Sequence, residues 1–150
     1  MVVRTEKRMV EVFDTTYVAN DGTEFKTEFT CLDYEKQLAE NAFKAKANEL
    51  RIPKFDGTYP LDVDGQYISD NHAHTWYQVN TEEDLNTLED VYGGIGKPCS
   101  YPDIVCIETD DYYTDDCWSY WLSDMKKSTV AFWKAFGYEV EFKEGSKDSE

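Results

Sequence analysis

His72 and His74 are the only histidines in the 150 residues, and they stand two apart. On a β-strand that spacing turns both imidazoles to one face, the start of a metal pair. Cys99, Cys106 and Cys117 would be suitable further ligands for zinc, but structural zinc sites draw on closely paired ligands and the chain has no C-x-x-C. Packed or solvated histidines are the commoner use of the residue. The four cysteines, Cys31 among them, read as buried small apolar side chains, kept as thiols in a reducing compartment. Asp62-Val63-Asp64-Gly65 opens like a calcium loop yet lacks the further acidic positions and the closing bidentate glutamate, so a turn is expected there.

Acid–base catalysis by two carboxyls needs them set in a cleft with one pKa raised by burial, which an abundance of acids does not supply. The chain also has no G-x-S-x-G, no glycine-rich phosphate loop and no H-E-x-x-H. The expectation is a protein that is not an enzyme and needs no cofactor. A metal-dependent enzyme built on His72 and His74 is the catalytic alternative.

Charge is the more informative signal. Residues 55 to 124 hold sixteen carboxylates and one cation, Lys97, whereas residues 1 to 54 carry ten acids against nine bases and residues 125 to 150 five of each. The net charge of −16 is therefore localised. Acidity that serves solubility would be spread over all surfaces; here it is confined and interleaved with Tyr59, Tyr67, Tyr101, Tyr112 and Tyr113. Tyrosine supplies rigid amphipathic contact area and carboxylates pair with arginine, a mixture suited to an interface. Such a field repels nucleic acid and anionic membrane and attracts basic proteins. Exposed like charges about 4 Å apart in water repel by only about 1 kcal/mol, so a folded core can carry them. Carboxylates about 6 Å apart on a helix or strand face could occupy a Lys- and Arg-lined groove in place of phosphates.

These residues must be positioned by one domain of about ordinary size, residues 1–150, with fraying expected at 1–8 and 145–150. Aromatics make up 15% of the chain, enough large apolar area for a core. Met1 to Val12 contains no apolar run of signal-peptide length, and no stretch approaches the roughly 18 apolar residues of a membrane span. A soluble, cytoplasmic protein is expected. Asn20-Asp21-Gly22 between apolar residues predicts a hairpin over 15–25. Thr27 caps a predicted helix with Phe29, Leu32, Ala39, Ala42 and Phe43 near one face, which Pro53 ends. Residues 54–71 read as a long ordered loop or an irregular hairpin. A strand over 74–79 leads into a helix opened by Asn80-Thr81-Glu82-Glu83-Asp84, with Leu85, Leu88 and Tyr92 inward and Gly93-Gly94 as its stop. Ile104–Ile107 and Trp118–Leu122 predict a hairpin around the loop 110–116, the first strand covered on both faces. Ser123 then caps a helix whose Met125, Thr129, Phe132 and Phe136 recur at helical spacing, Gly137 stops it, and Tyr138, Val140 and Phe142 alternate as a last strand. The sum is an α+β fold, a mainly antiparallel sheet of about five strands packed against three helices.

Tyr17-Val18-Ala19-Asn20-Asp21-Gly22-Thr23-Glu24-Phe25 followed by Cys31-Leu32-Asp33-Tyr34-Glu35 resembles the opening of small bacteriophage and prophage proteins. Trp76-Tyr77-Gln78-Val79-Asn80-Thr81-Glu82-Glu83-Asp84-Leu85 and Phe136-Gly137-Tyr138-Glu139-Val140 are similar to the same kind of protein. The resemblance implies an acidic anti-restriction or anti-CRISPR inhibitor, some of which mimic DNA. Its expected partner is a basic nucleic-acid-binding protein such as a host CRISPR or restriction nuclease, with no direct binding to nucleic acid or membrane. The contact residues expected from the acidic stretch are Asp62, Asp64, Glu82, Glu83, Glu89, Asp90, Asp110, Asp111, Tyr112, Tyr113, Asp115 and Asp116. A non-inhibitory interaction module of a phage is the alternative.

Overall fold

The computed structural model describes residues 1–61, 72–110 and 117–145. The chain divides into two compact units, Met1–Ala42 and Phe43–Glu150. In the first, β1 (Tyr17–Val18) and β2 (Glu24–Phe25) pair antiparallel with Tyr17 opposite Phe25. The turn is the one its sequence asks for: Gly22 takes φ +90°, and the Asp21 carboxylate accepts the Thr23 amide at 3.0 Å. Helix α1 (Glu28–Glu49) begins at Thr27, whose hydroxyl accepts the Thr30 amide at 3.2 Å, an N-cap bond to the third helical residue. Its early turns brace the hairpin. The Tyr34 hydroxyl donates to Asp21 at 2.9 Å, Glu35 accepts the Asn20 amide at 2.8 Å, and the Tyr34 ring lies 5.0 Å from that of Phe25.

In the second unit, β3 (His72–Val79), β4 (Asp103–Asp110) and β5 (Cys117–Trp121) form an antiparallel sheet in that order, with His74 opposite Glu108 and Glu108 opposite Trp118. Ile52 and Gln78 exchange bonds with Trp76 and Leu50 along the outer edge of β3, so the chain leaving α1 lines that edge. Val105, Cys106 and Ile107 are fully buried, as a continuous apolar run covered on both faces requires. One face gathers Tyr77, Val79, Val105, Ile107 and Trp121 with Leu85 and Leu88 of α2 (Glu82–Tyr92). The other gathers Trp76, Cys106 and Tyr120 with Met125 of α3 (Leu122–Ala135). Helix α2 starts with a complete capping box between Thr81 and Asp84 and stops at Gly93, φ +68°.

Among the described residues the fold is thus α+β, with three α-helices and about five strands, but the strands divide between a two-stranded and a three-stranded antiparallel sheet instead of forming one. Residues 138–142 form no strand; the alternation is present, but the segment has no sheet partner among the described residues. Nor does Ser123 cap α3. The helix begins two residues earlier than that cap implies, at Leu122 straight from β5, and the Asp103 carboxylate accepts both the Ser123 amide, at 3.3 Å, and its hydroxyl. Phe132 and Phe136 do not follow Met125 into the core but are exposed. Helix α3 leaves the sheet at Trp121 without a loop, and among the described residues its first turns find cover and its last turns find none.

Candidate functional site

Strand alternation sends His72, His74 and Trp76 to the same face as Asp110, Glu108 and Cys106 on β4 and Trp118 and Tyr120 on β5. The result is a polar cluster at one end of the sheet, beside the apolar Trp76–Cys106–Met125 packing. Glu108 is wholly buried and lies at its centre. One carboxylate oxygen bonds to Nδ1 of His72, and the other accepts the Tyr120 hydroxyl at 3.2 Å. Nε2 of His72 faces Asp110 at 3.4 Å, so both nitrogens of that ring point to carboxylates. The ring is stacked on Trp118, 5.2 Å between centroids and 6° from parallel.

His74 is as buried, with Tyr59 edge-on to it at 4.6 Å. Its Nε2 stands 3.5 Å from Glu108 but outside hydrogen-bond geometry, and has no hydrogen-bond partner among the described residues. An open depression of about 300 Å³ reaches His72, His74, Tyr59, Arg51 and Asp56. This arrangement binds a buried carboxylate to its neighbours: a fully desolvated acid is tolerable only with such donors around it. Among the described residues no group of three His, Cys, Asp or Glu side chains is placed to hold a metal ion. The cysteines cannot join the histidines, because Cys117 packs with the core on the opposite face of the sheet from Cys106, and Cys99 is exposed, 3.0 Å from the Lys127 ammonium.

The acidic stretch divides into groups with different fates. Asp56 accepts Nε of Arg51 at 3.1 Å, Asp84 serves the capping box, Asp103 holds Ser123, Glu108 and Asp110 face His72, and Asp124 accepts the Cys99 thiol at 3.8 Å. Glu82 pairs with Lys97 at 2.6 Å, which holds the Glu82 carboxyl below the usual carboxylate range. Three carboxylates of α2 remain without an ion pair among the described residues: exposed Glu83 and Asp90, and half-buried Glu89. Asp62, Asp64, Asp111, Tyr112, Tyr113, Asp115 and Asp116 lie outside the described residues.

The sequence reading missed Glu108, Tyr120, Trp118 and Tyr59 as neighbours of the histidines. The signal was present in part, since Glu108 and Asp110 repeat the two-residue spacing of His72 and His74 on a strand with a hairpin partner. What it lacked was the register. No described helix is long and apolar enough to cross a membrane. No family model, curated protein or solved structure matches the chain.

Proposed function

We propose that the chain works without catalysis, as an inhibitor that presents an acidic, tyrosine-bearing face to a basic nucleic-acid-binding protein. In this reading the target is a nucleic-acid-cutting defence nuclease of a bacterial host, a CRISPR effector first, and the protein occupies the Lys- and Arg-lined surface that the nucleic acid would otherwise fill. The face is built on α2, with the acids of 62–64 and 111–116 as its continuation in sequence.

The observation that carries it is the charge at the end of α2. A helix C-terminus favours cations, each worth about 0.3–1 kcal/mol there. Yet the last turn of α2 carries no base and two acids, Glu89 and Asp90, while the one cation of residues 55–124 is held by Glu82. Acids kept where the helix disfavours them, with no ion pair among the described residues, are accounted for by a partner that supplies the cations. Glu82 and Glu83 lie two turns before Glu89 and Asp90, about 10.5 Å along the axis, so one short helix offers two pairs of negative charges.

The test is cleavage of a target duplex by purified RNA-guided and restriction nucleases, with and without an excess of the protein. Inhibition of a nuclease that is relieved by preloading it with DNA supports competition for the DNA-binding surface. Cleavage unaffected across the series would remove the reading.

A further inference from the structure

The last turns of α3 and the segment after it expose five aromatic rings within eleven residues: Phe132, Trp133, Phe136, Tyr138 and Phe142, each between 44% and 66% accessible. Four of the five are linked ring to ring. Phe132 lies 5.3 Å from both Trp133 and Phe136, Trp133 lies 5.8 Å from Tyr138, and the Lys126 ammonium stands 5.6 Å from the Phe142 ring. Gly137, at φ +85°, turns the chain back so that the Tyr138 amide donates to the Trp133 carbonyl at 3.1 Å. The returning segment and the helix border an open cleft of about 780 Å³, lined by Val130, Lys134, Tyr138, Glu139, Val140 and Glu141. A contiguous aromatic patch with a charged rim marks an interaction site on a soluble protein.

We infer that this face joins two copies of the chain in a symmetric dimer. Area is the first argument. At roughly 200 Å² per aromatic side chain, half exposed, the five rings leave about 500 Å² open on one copy. Covered completely on both copies, the rings remove about 1,000 Å², the size a specific interface must clear.

Charge is the second argument. A chain of net charge −16 repels its own copies over most facets, but residues 125–150 balance five acids with five bases. Lys126, Lys127 and Lys134 are on α3, and Glu139, Glu141 and Glu144 follow the turn together with Lys143, which pairs with Glu141 at 3.7 Å. Among the described residues Lys134 makes no ion pair with Glu139 or Glu141 of its own copy, although all three line the cleft. A two-fold axis that lays Lys134 of each copy against Glu139 of the other makes that pair twice. The basic partner of the acidic face finds no comparable complement here. The dimer therefore presents two acidic faces at once, and the two associations differ in their response to salt. Screening weakens the binding of a basic partner throughout, whereas for the dimer it weakens the Lys134–Glu139 pairs but relieves the larger repulsion between two copies of net charge −16.

Sedimentation equilibrium of the full chain over a concentration series tests this. The wild type dimerises, and the association holds or tightens from low to moderate salt. Phe136→Ser lowers the association constant by about 30-fold or more, as loss of an aromatic anchor does, with an unchanged urea midpoint at concentrations where both proteins are monomeric, because the ring is exposed. Lys134→Glu alone and Glu139→Lys alone each weaken the dimer, and mixing the two variants restores association as a heterodimer. A wild type that stays monomeric throughout overturns the inference, and so does a Phe136→Ser dimer of full strength. A monomer whose Trp133 fluorescence shifts on vesicles of zwitterionic lipid would assign the face to a membrane surface instead, which also overturns it.

Discussion

Charge reversal at the two ends of α2 separates what the helix needs from what a partner needs. Glu83 is in the first turn, where the unpaired amides at the N-terminus attract an anion, and Asp90 is in the last, where the carbonyls repel one. Both are exposed, and neither serves the capping box, which belongs to Thr81 and Asp84. Replacing each by lysine makes the same change in net charge at opposite ends of a helix about 16 Å long. Glu83→Lys should cost about 0.5–1 kcal/mol of stability and Asp90→Lys should add a similar amount. With a urea slope of about 1–3 kcal/mol/M, the two midpoints move apart by roughly 0.5–1 M. Binding to a basic nuclease should weaken in both variants, several-fold each, since the partner reads charge and not helix stability. Urea unfolding followed by circular dichroism gives the first quantity and calorimetric titration the second. Midpoints that move in the same direction refute the helix argument. Full affinity in both variants refutes the assignment of the face to α2.

Glu108→Ala should destabilise the second unit by about 3–5 kcal/mol, because His72, His74 and Tyr120 lose the buried carboxylate they surround; a urea midpoint within error of the wild type would contradict this. Cys106, fully buried beside Glu108 with its thiol pushed up to about 12 by desolvation first and by that carboxylate second, should resist a thiol reagent at neutral pH in the native protein. Exposed Cys99 should react, and mass spectrometry of the labelled peptides distinguishes the two. The Asp21 carboxyl is held below its usual value by the Thr23 amide first and then by the Tyr34 hydroxyl. Its contribution is therefore present above the unfolded value and lost as pH falls through the folded one. Tyr34→Phe should raise the Asp21 titration midpoint seen by NMR, and an unmoved midpoint would show that the hydroxyl contributes nothing.

Local signals were legible wherever a residue acts on its own neighbours. The Asp21-Gly22 turn, the Thr27 cap, the capped start and Gly93 stop of α2, and the doubly covered run of residues 104–107, save half-buried Ile104, follow from short-range chemistry. Tertiary cover was not legible. Phe132 and Phe136 have the spacing of a buried face, and Tyr138–Phe142 the alternation of a strand, yet neither pattern tells whether another element lies opposite. The same gap hid the histidine cluster, since Glu108 meets His72 and His74 only through the β3–β4 register. It also made the acidic stretch look more uniform than it is. Composition does not distinguish Glu108, buried to the last atom, from Asp90, turned to water.

The proposal that the acidic face replaces nucleic acid on a basic protein is tested most directly by the salt dependence of its affinity for a guide-loaded CRISPR nuclease. Association should be tight at low salt, with a linear, steep fall of log K against log salt concentration, as when a phosphate backbone is released from the same groove. Affinity that stays level across the salt series, or no association even at the lowest salt, would contradict it.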